Sequence, residues 1–304
     1  IIISLGSFSF ALNSIGIFSL FKIPFKHFST TVLFRFCLLT GLYSSLLLVA
    51  SNLLPETISS PSHLFNRLVC KLWYRNAAFW QGICWHILSL VTISLDRILV
   101  LLYLASYQPC QKRCAILFIL ATVLLSLGVT VPLMFKRDYA NGVCFEYDSE
   151  IWNFIIPIIW VLVIYAIPMF SLISSYAYIL FVIRYRSAVA KAVSEGSNAN
   201  PEDQKSKSSS VFGGEYHRLL LNTGLMAVNF GILGSAAMLI HLMRHFKWLP
   251  SNVHTYQSAA ILLSIFLCLS PIIMVFSTKR LRDYITTRCC HQFARRMLSA
   301  YRQT

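Results

Sequence analysis

Residues 76–98 read NAAFWQGICWHILSLVTISLDRI, and no other stretch constrains the architecture as strongly. From Asn76 to Leu95 it contains no acidic residue, no lysine and no arginine. A helix of that length rises about 30 Å, which is the thickness of the hydrocarbon layer of a membrane. Asp96 and Arg97 follow at once, and charges at such a boundary indicate a functional position. The stretch is therefore predicted to be a membrane-spanning helix with a charged pair at one end.

The rest of the chain repeats this pattern. Hydrophobic residues make up 57% of the 304 residues and charged residues only 12%, about half the charged share of soluble domains. Uncharged stretches of similar length also occur at Ile1–Phe21, Phe36–Pro55, Cys114–Phe135, Ile151–Ile183, Leu219–Met243 and Trp248–Thr278. Unbroken apolar runs favour helices over the alternating strands of a barrel. The predicted fold is all-α, a seven-transmembrane helix bundle with spans at about 1–21, 33–55, 72–104, 114–135, 151–183, 219–243 and 255–278.

Lysine and arginine predict how the bundle is oriented. Half of the 26 lie between the fifth and sixth spans or after the seventh. Because cytoplasmic segments are richer in these residues, we expect a multi-pass protein of the plasma membrane with its amino end outside and its carboxyl end in the cytoplasm. The net charge is +15. Since the basic residues flank apolar spans, membrane lipids and acidic cytosolic proteins are the expected partners, and nucleic acid is not.

The cytoplasmic segments are of two kinds. Residues 184–218 link the fifth and sixth spans, and the stretch Ser194–Gly214 within them has almost no apolar residue to bury. This stretch is expected to be disordered. The bundle with its linker is expected to occupy residues 1–290, and residues 291–304 to form a cytoplasmic tail.

The segment after the seventh span has its own pattern. Leu281, Tyr284 and Ile285 recur at helical spacing among basic residues, which predicts a short amphipathic helix on the cytoplasmic face of the membrane. Cys289 and Cys290 close this segment. Paired cysteines near the membrane suit reversible palmitoylation, and two reduced thiols without a role are the alternative.

Two other cysteines lie on the opposite side of the membrane. Of the nine cysteines, only Cys70 and Cys144 fall in outer segments of this topology. Exposed thiols in an oxidising compartment pair readily, so a disulfide is favoured over two free thiols. Such a bond would hold the loop after the fourth span across the mouth of the bundle.

A set of positions spread over the whole chain carries a resemblance. The set consists of Asp96-Arg97, Cys70 with Cys144, Asn13 in the first span, Pro168 and Tyr176 eight residues apart in the fifth, and Ser270-Pro271 in the seventh. Together with seven spans, it resembles the rhodopsin-like (class A) G-protein-coupled receptors. The resemblance implies that Asn13, Pro168, Ser270 and Pro271 belong to the structural switch of such a receptor.

The chain also departs from the pattern of that family. Ile98 replaces the tyrosine of the Asp-Arg-Tyr motif, and Ser270 and Met274 replace the asparagine and tyrosine of the Asn-Pro-x-x-Tyr motif. The sixth span has no proline and no Cys-Trp-x-Pro. The second span has no acidic residue at the sodium-binding position, and His86 of the third span occupies a neighbouring site. These differences are typical of a divergent member or an outlying chemosensory branch.

The resemblance assigns G-protein coupling to Asp96, Arg97 and Tyr176. In such receptors the arginine is held by acids at rest and meets the carboxyl end of a G-protein α subunit on activation. Asp96 is the adjacent acid, and Glu215 before the sixth span is a second candidate for the resting partner, with a solvated loop charge as the alternative. Tyr176 would hydrogen-bond Arg97 in the active state. The implied partners are a heterotrimeric G protein and an extracellular ligand.

The ligand is expected to enter from outside into a mostly apolar pocket. Candidate contact residues are Phe79, Trp80, Ile83, Glu146, Asp148, Tyr256 and Gln257. Phe79 stands where aminergic receptors carry an aspartate, and Ser264 stands where opsins carry the retinal lysine, so neither ligand class is expected. Acids after Cys144 favour a cationic peptide through steering, whereas a neutral lipid or odorant remains the alternative.

Other membrane functions fit less well. A transporter or channel is the second hypothesis, but that class places ionisable groups or repeated broken helices near the midplane. Here His86 is the one such group deep in a span apart from thiols. An enzyme is not expected, because the histidines are scattered and no Gly-x-Ser-x-Gly, His-x-x-His or paired intramembrane aspartates occur. No cofactor and no metal are expected.

Overall fold

The computed structural model describes residues 1–22, 28–54, 60–102, 107–140, 142–147, 155, 158–196, 221–245, 248, 253–278 and 281–287. In these parts of the chain, seven helices are long and apolar enough to cross a membrane. They are Ile2–Lys22, Phe28–Leu53, Ala77–Leu102, Gln111–Phe135, Ile158–Tyr185, Leu221–Ile240 and Gln257–Phe276, called spans 1 to 7 below. The predicted seven-helix bundle is confirmed.

Three of these helices extend beyond the membrane-spanning part. The helix of span 5 continues to Gly196, that of span 6 to His245, and that of span 7 runs from Val253 to Ser277. Residues 281–287 form a further short helix. Its first residue, Leu281, is buried against the core of the bundle. The helix predicted after the seventh span is therefore present, while Cys289, Cys290 and the tail 291–304 lie outside the described residues.

Span 3 begins later than the sequence suggested. Residues His63–Trp73 form a separate helix, named here the outer helix, and a 3-10 turn over Tyr74–Asn76 joins it to Ala77. The φ angle of Asn76 is 58°, a left-handed conformation that asparagine tolerates better than most residues. Because such a residue cannot continue a right-handed helix, the predicted single helix over 72–104 is divided at this point.

Span 3 is the centre of the bundle. In its membrane window 61% of the residues are buried inside the protein, against 22% in span 4. Phe79, Ile83 and Ile87 point into the core together with Phe34 and Phe266. By contrast, Ile116, Leu117, Leu120 and Leu124 of span 4 are exposed. An apolar surface of this kind suits contact with lipid, and the side chains of span 3 accordingly link the other helices.

The segment after span 4 folds into a β-hairpin. Arg137–Ala140 pairs antiparallel with Val143–Glu146, with Tyr139 opposite Cys144. Gly142 in the turn has a φ of 82°, which glycine adopts without strain. A disulfide joins Cys144 to Cys70 of the outer helix, with 5.7 Å between the two Cα atoms. We call this side of the bundle the hairpin end and the opposite side, which holds Asp96 and Arg97, the Arg97 end.

Candidate functional site

The Asp96 carboxylate lies at the Arg97 end and is almost completely buried. Thr30 Oγ1 of span 2 donates a hydrogen bond of 2.9 Å to Oδ2 of Asp96. The hydroxyl of Tyr107, in the connection to span 4, donates a hydrogen bond of 2.5 Å to Oδ1. Burial of the phenol is the main cause that raises the pKa of Tyr107, and the hydrogen bond to Asp96 raises it further. The hydroxyl therefore keeps the proton that it donates. Both carboxylate oxygens therefore have uncharged donors.

Arg97 does not form the ion pair with Asp96 that its position in the sequence suggested. Its guanidinium lies over the ring of Phe34, with 5.1 Å from Cζ to the ring centroid. Its Nε atom is buried without a hydrogen-bond partner in the described part of the chain. The Nε atom of Arg35 at the same end is also buried without a partner there, but its Nη2 donates to the Leu20 carbonyl at 2.9 Å. Consecutive helical residues point about 100° apart, so Asp96 and Arg97 face different neighbours.

Tyr176 contacts span 6 in this structure. A Cβ atom added to Gly224 would lie 2.8 Å from Cε2 of the Tyr176 ring. No hydrogen bond joins Tyr176 to Arg97 among the described residues, and more than a third of the Tyr176 side chain is exposed. The absence of a side chain at Gly224 thus allows spans 5 and 6 to approach closely at the Arg97 end.

His86 lies at the middle of span 3 and contacts two other spans. Its Nδ1 lies 3.2 Å from the Cys37 carbonyl oxygen and 3.4 Å from Thr40 Oγ1, both of span 2. Its ring packs edge-on against Phe266 of span 7, with centroids 5.5 Å apart. The described residues include no group of three or more His, Cys, Asp or Glu side chains that could hold a metal ion. His86 thus links spans 2, 3 and 7 without a metal-ligand set around it.

Spans 5 and 6 each contain a π-helical turn, over Leu162–Ala166 and Phe230–Gly234. In span 5 the turn ends two residues before Pro168, whose ring and missing N–H disturb the regular α-helical bonds before it. In span 6 the turn occurs in a helix without proline. Insertions of this type bend helices and are frequent at functional sites. The sixth span therefore has a helix irregularity of a kind that its sequence did not indicate.

The two π-helical turns contact each other. The rings of Tyr165 and Phe230 are 5.9 Å apart, and the hydroxyl of Tyr165 lies 2.5 Å from that of Ser235, the residue that follows the turn of span 6. Phe230 is fully buried and also packs against Phe266 of span 7 at 5.8 Å. Spans 5, 6 and 7 are thus joined by one aromatic cluster at the level of their irregular turns.

Aromatic residues gather inside the bundle toward the hairpin end. Phe79 and Ile83 are buried, and the Phe79 ring lies 5.6 Å from Trp80. Trp80 packs edge-on against Trp160 of span 5 at 5.3 Å. The structure therefore brings the three predicted span 3 residues together with Trp160. Gln257 is exposed, and the side chain of Tyr256 and all of Asp148 lie outside the described residues.

The charges of the hairpin are largely paired. Arg137 Nε donates to Glu146 Oε1 at 3.1 Å, and Arg137 Nη1 donates to the Tyr74 carbonyl at 2.5 Å. Arg67 of the outer helix binds Asp138 with two hydrogen bonds of 2.8 and 2.9 Å. The bond from Arg67 lowers the pKa of Asp138 to about 2. Glu146 and Asp138 thus have basic partners within the protein.

This geometry can be compared with known families. The sequence model of one family, the seven-transmembrane receptors of the rhodopsin family, matches residues 25–299 of the chain. The chain belongs to this family. It is a multi-pass membrane protein of a family with a general role in G-protein-coupled signalling and no general enzymatic activity. No curated protein matches the sequence.

The predicted switch residues of this rhodopsin-family receptor occupy buried positions. Asn13 Nδ2 donates to the Ser9 carbonyl at 2.9 Å, and a Cβ atom at Gly41 would lie 2.6 Å from Asn13 Oδ1. Ser270 Oγ donates to the Phe266 carbonyl at 2.9 Å. Pro168 and Pro271 are also buried in their spans. The structure places these residues in the bundle interior, and their part in switching stays a prediction.

Sequence reasoning missed important partners in this receptor. Thr30 and Tyr107 bind Asp96, but an isolated threonine and tyrosine near span ends carry no pattern that marks them. Trp160 had no distinguishing feature within an apolar run. The hairpin had a usable signal, since Asn-Gly at 141–142 is a strong predictor of a tight turn between strands. Glu215, the second candidate for the resting partner of Arg97, lies outside the described residues.

Proposed function

We propose that this rhodopsin-family receptor binds an extracellular ligand at the hairpin end and activates a heterotrimeric G protein at the Arg97 end. The proposal rests on one observation: Asp96 and Arg97 have different partners and do not form an ion pair with each other. Thr30 and Tyr107 occupy the carboxylate, and the guanidinium lies over Phe34 with Nε unpaired. The amino end is then outside and the carboxyl end in the cytoplasm, in line with the distribution of lysine and arginine.

The chemistry of Arg97 supports this role. A guanidinium carries its charge at any physiological pH and presents donors in a fixed plane, so it binds carboxylate or carbonyl groups of an incoming peptide well. Its Nε atom has no acceptor within the described part of the receptor. A G-protein carboxyl end that supplies acceptors would therefore gain hydrogen bonds without first breaking an Asp96–Arg97 ion pair.

To transmit ligand binding from the hairpin end to the Arg97 end, the bundle needs a structural element that can adopt two arrangements. The contact between the π-helical turns of spans 5 and 6 is our candidate. It holds one hydrogen bond, between Tyr165 and Ser235, and the ring contact of Tyr165 with Phe230. On the Arg97 side of this contact, the Tyr176 ring lies against Gly224 of span 6. A change in the turns would alter this second contact and open the Arg97 end.

For the ligand we propose an apolar or aromatic small molecule that packs among Phe79, Trp80, Ile83 and Trp160. Aromatic side chains provide large contact areas for such molecules. The paired charges of the hairpin favour this class over a cationic peptide, because Glu146 is bonded to Arg137 and Asp138 to Arg67. Steering of a cation requires net negative charge at the mouth.

The test is a G-protein dissociation assay in cells. G-protein dissociation is first measured without ligand at increasing densities of the receptor. Panels of apolar small molecules, lipids and basic peptides are then added. We compare the unaltered receptor with Arg97→Ala and with Arg113→Ala, which removes an exposed arginine at the start of span 4. Both variants lose one positive charge at the same end of the bundle.

We expect Arg97→Ala to abolish dissociation while the receptor still reaches the cell surface, and Arg113→Ala to retain it. Equal signalling by the Arg97 variant would contradict the proposed coupling. A tag fused after Thr304 tests the orientation separately. It should be stained only after the cells are permeabilised.

A further inference from the structure

The outer helix, His63–Trp73, has one face fixed to the protein. Asn66 Nδ2 donates to the Ser60 carbonyl at 2.8 Å and to the Tyr139 hydroxyl at 3.2 Å. Cys70, one turn later, is buried and forms the disulfide with Cys144. Arg67 binds Asp138 through two hydrogen bonds. The helix is therefore held against the hairpin through the face that carries Asn66 and Cys70.

The opposite face is apolar and exposed. Its large side chains are Leu64, Phe65, Leu68 and Leu72, with exposed fractions of 79%, 45%, 54% and 39%. The three leucines are four residues apart, so they form one stripe along the helix. Asn66 and Cys70 lie roughly half a turn away from that stripe. A helix with one polar, anchored face and one exposed leucine stripe has the pattern of helices that lie in the membrane interface.

Contacts at the end of the outer helix determine where it lies along the long axis of the bundle. The Lys71 ammonium lies over the ring of Phe135, with 4.8 Å between Nζ and the ring centroid. Phe135 is the last residue of span 4 and is 67% exposed. Span 3 begins at Ala77, only one 3-10 turn after the outer helix. The last turn of this helix is therefore level with the ends of two spans, where the hydrocarbon layer meets the lipid headgroups.

We propose that the outer helix is a lipid-binding element that lies in the membrane leaflet at the hairpin end, with Leu64, Leu68 and Leu72 inserted among the acyl chains. The apolar stripe is then continuous with the lipid-facing surface of the bundle, to which Phe135 belongs. Lys71 suits this position, because its stem covers apolar surface while its ammonium reaches the headgroups. Trp73 and Tyr74 follow, and such aromatic residues are enriched at this depth.

This lipid contact has a consequence for the mouth of the bundle. The disulfide and the Arg67–Asp138 pair join the outer helix to the hairpin. The hairpin is therefore attached to an element that rests on the membrane as well as to the spans. The inference does not depend on which ligand or G protein the receptor uses, or on which end of the bundle faces the cytoplasm.

The experiment measures the surroundings of a spin label on each face. Leu68→Cys and His63→Cys are made in a receptor whose Cys110, Cys114, Cys289 and Cys290 are serine, and each is labelled with a nitroxide. His63 is the matched control, because it is exposed on the same helix and lies outside the leucine stripe. One receptor is placed in each phosphatidylcholine nanodisc. Power saturation then compares collisions with oxygen, which enters hydrocarbon, and with a nickel chelate, which stays in water.

We expect oxygen to dominate at position 68 and the nickel chelate to dominate at position 63. Domination by the nickel chelate at both positions would overturn the proposal, because the leucine stripe would then face water. Protection of position 68 from both reagents would also overturn it, since another part of the receptor would then cover the stripe. If Leu68→Cys does not fold, Leu64→Cys gives the same comparison on the same stripe.

Discussion

The hydroxyl of Tyr107 lies 2.5 Å from Oδ1 of Asp96 and donates a hydrogen bond to it. This contact joins the segment between spans 3 and 4 to the charged pair at the end of span 3. Because Thr30 occupies the other carboxylate oxygen, Asp96 is satisfied without its neighbour Arg97. The two residues most expected to pair are thus kept apart by two side chains that belong to other parts of the chain.

Tyr107→Phe should weaken coupling. Removing the hydroxyl leaves Oδ1 of a buried carboxylate without its donor, and a hydrogen bond to a charged group contributes about 1.5–3 kcal/mol. Asp96 then gains most by pairing with Arg97, so we expect G-protein dissociation to fall about tenfold. Tyr185→Phe, which alters an exposed tyrosine of span 5, is the control. An unchanged response of the Tyr107 variant would show that this bond does not control Arg97.

Gly41→Ala should destabilise the packing of spans 1 and 2. The new Cβ would lie 2.6 Å from Asn13 Oδ1, and Asn13 is fully buried. Overpacking of this kind costs about 1–3 kcal/mol. Gly128→Ala is the matched control, because a Cβ there would have no atom within 4 Å and alanine stabilises a helix by about 1 kcal/mol relative to glycine. Thermal unfolding of the detergent-solubilised receptor measures both, and equal melting temperatures for the two variants would disprove the close contact.

Tyr165→Phe and Ser235→Ala should affect the receptor through one shared bond. Each removes one of two hydroxyl groups that lie 2.5 Å apart, and a neutral hydrogen bond contributes about 1 kcal/mol. Ser235→Ala also removes the hydrogen bond that its hydroxyl donates to the Gly231 carbonyl within span 6. The double variant should therefore resemble Ser235→Ala rather than show the sum of the two single effects. G-protein dissociation and thermal stability should both be measured. Strictly additive losses would mean that the two π-helical turns act independently.

The attachment of the outer helix to the hairpin should resist mild acid. The hydrogen bonds from Arg67 hold the pKa of Asp138 at about 2, below its ordinary value of 3.8. A carboxylate with a lowered pKa stabilises the folded state above pH 3.8, and that contribution is lost as the pH falls toward 2. The effect of Asp138→Asn on melting temperature should therefore be constant between pH 8 and 5. A difference that disappears within that range would contradict the assignment.

Much of the architecture follows from local properties of the chain. Each span is marked by about 20 residues without charge, because a membrane excludes charge over a fixed thickness. The helix after span 7 could be predicted from the spacing of Leu281, Tyr284 and Ile285, since an amphipathic pattern is also local. Sorting the cysteines by side of the membrane was enough to pair Cys70 with Cys144.

The partners of individual side chains were decided only by the tertiary structure. Asp96 binds Thr30, 66 residues earlier in the chain, rather than the adjacent Arg97, because the packing of span 2 against span 3 brings the Thr30 hydroxyl to the carboxylate. Trp160 meets Trp80 only when spans 3 and 5 pack side by side. The break at Asn76 separates span 3 from the outer helix, which the disulfide and the Arg67–Asp138 ion pair hold to the hairpin. Hydrophobicity places a helix in the membrane, whereas its rotation and its contacts depend on residues far away in the sequence.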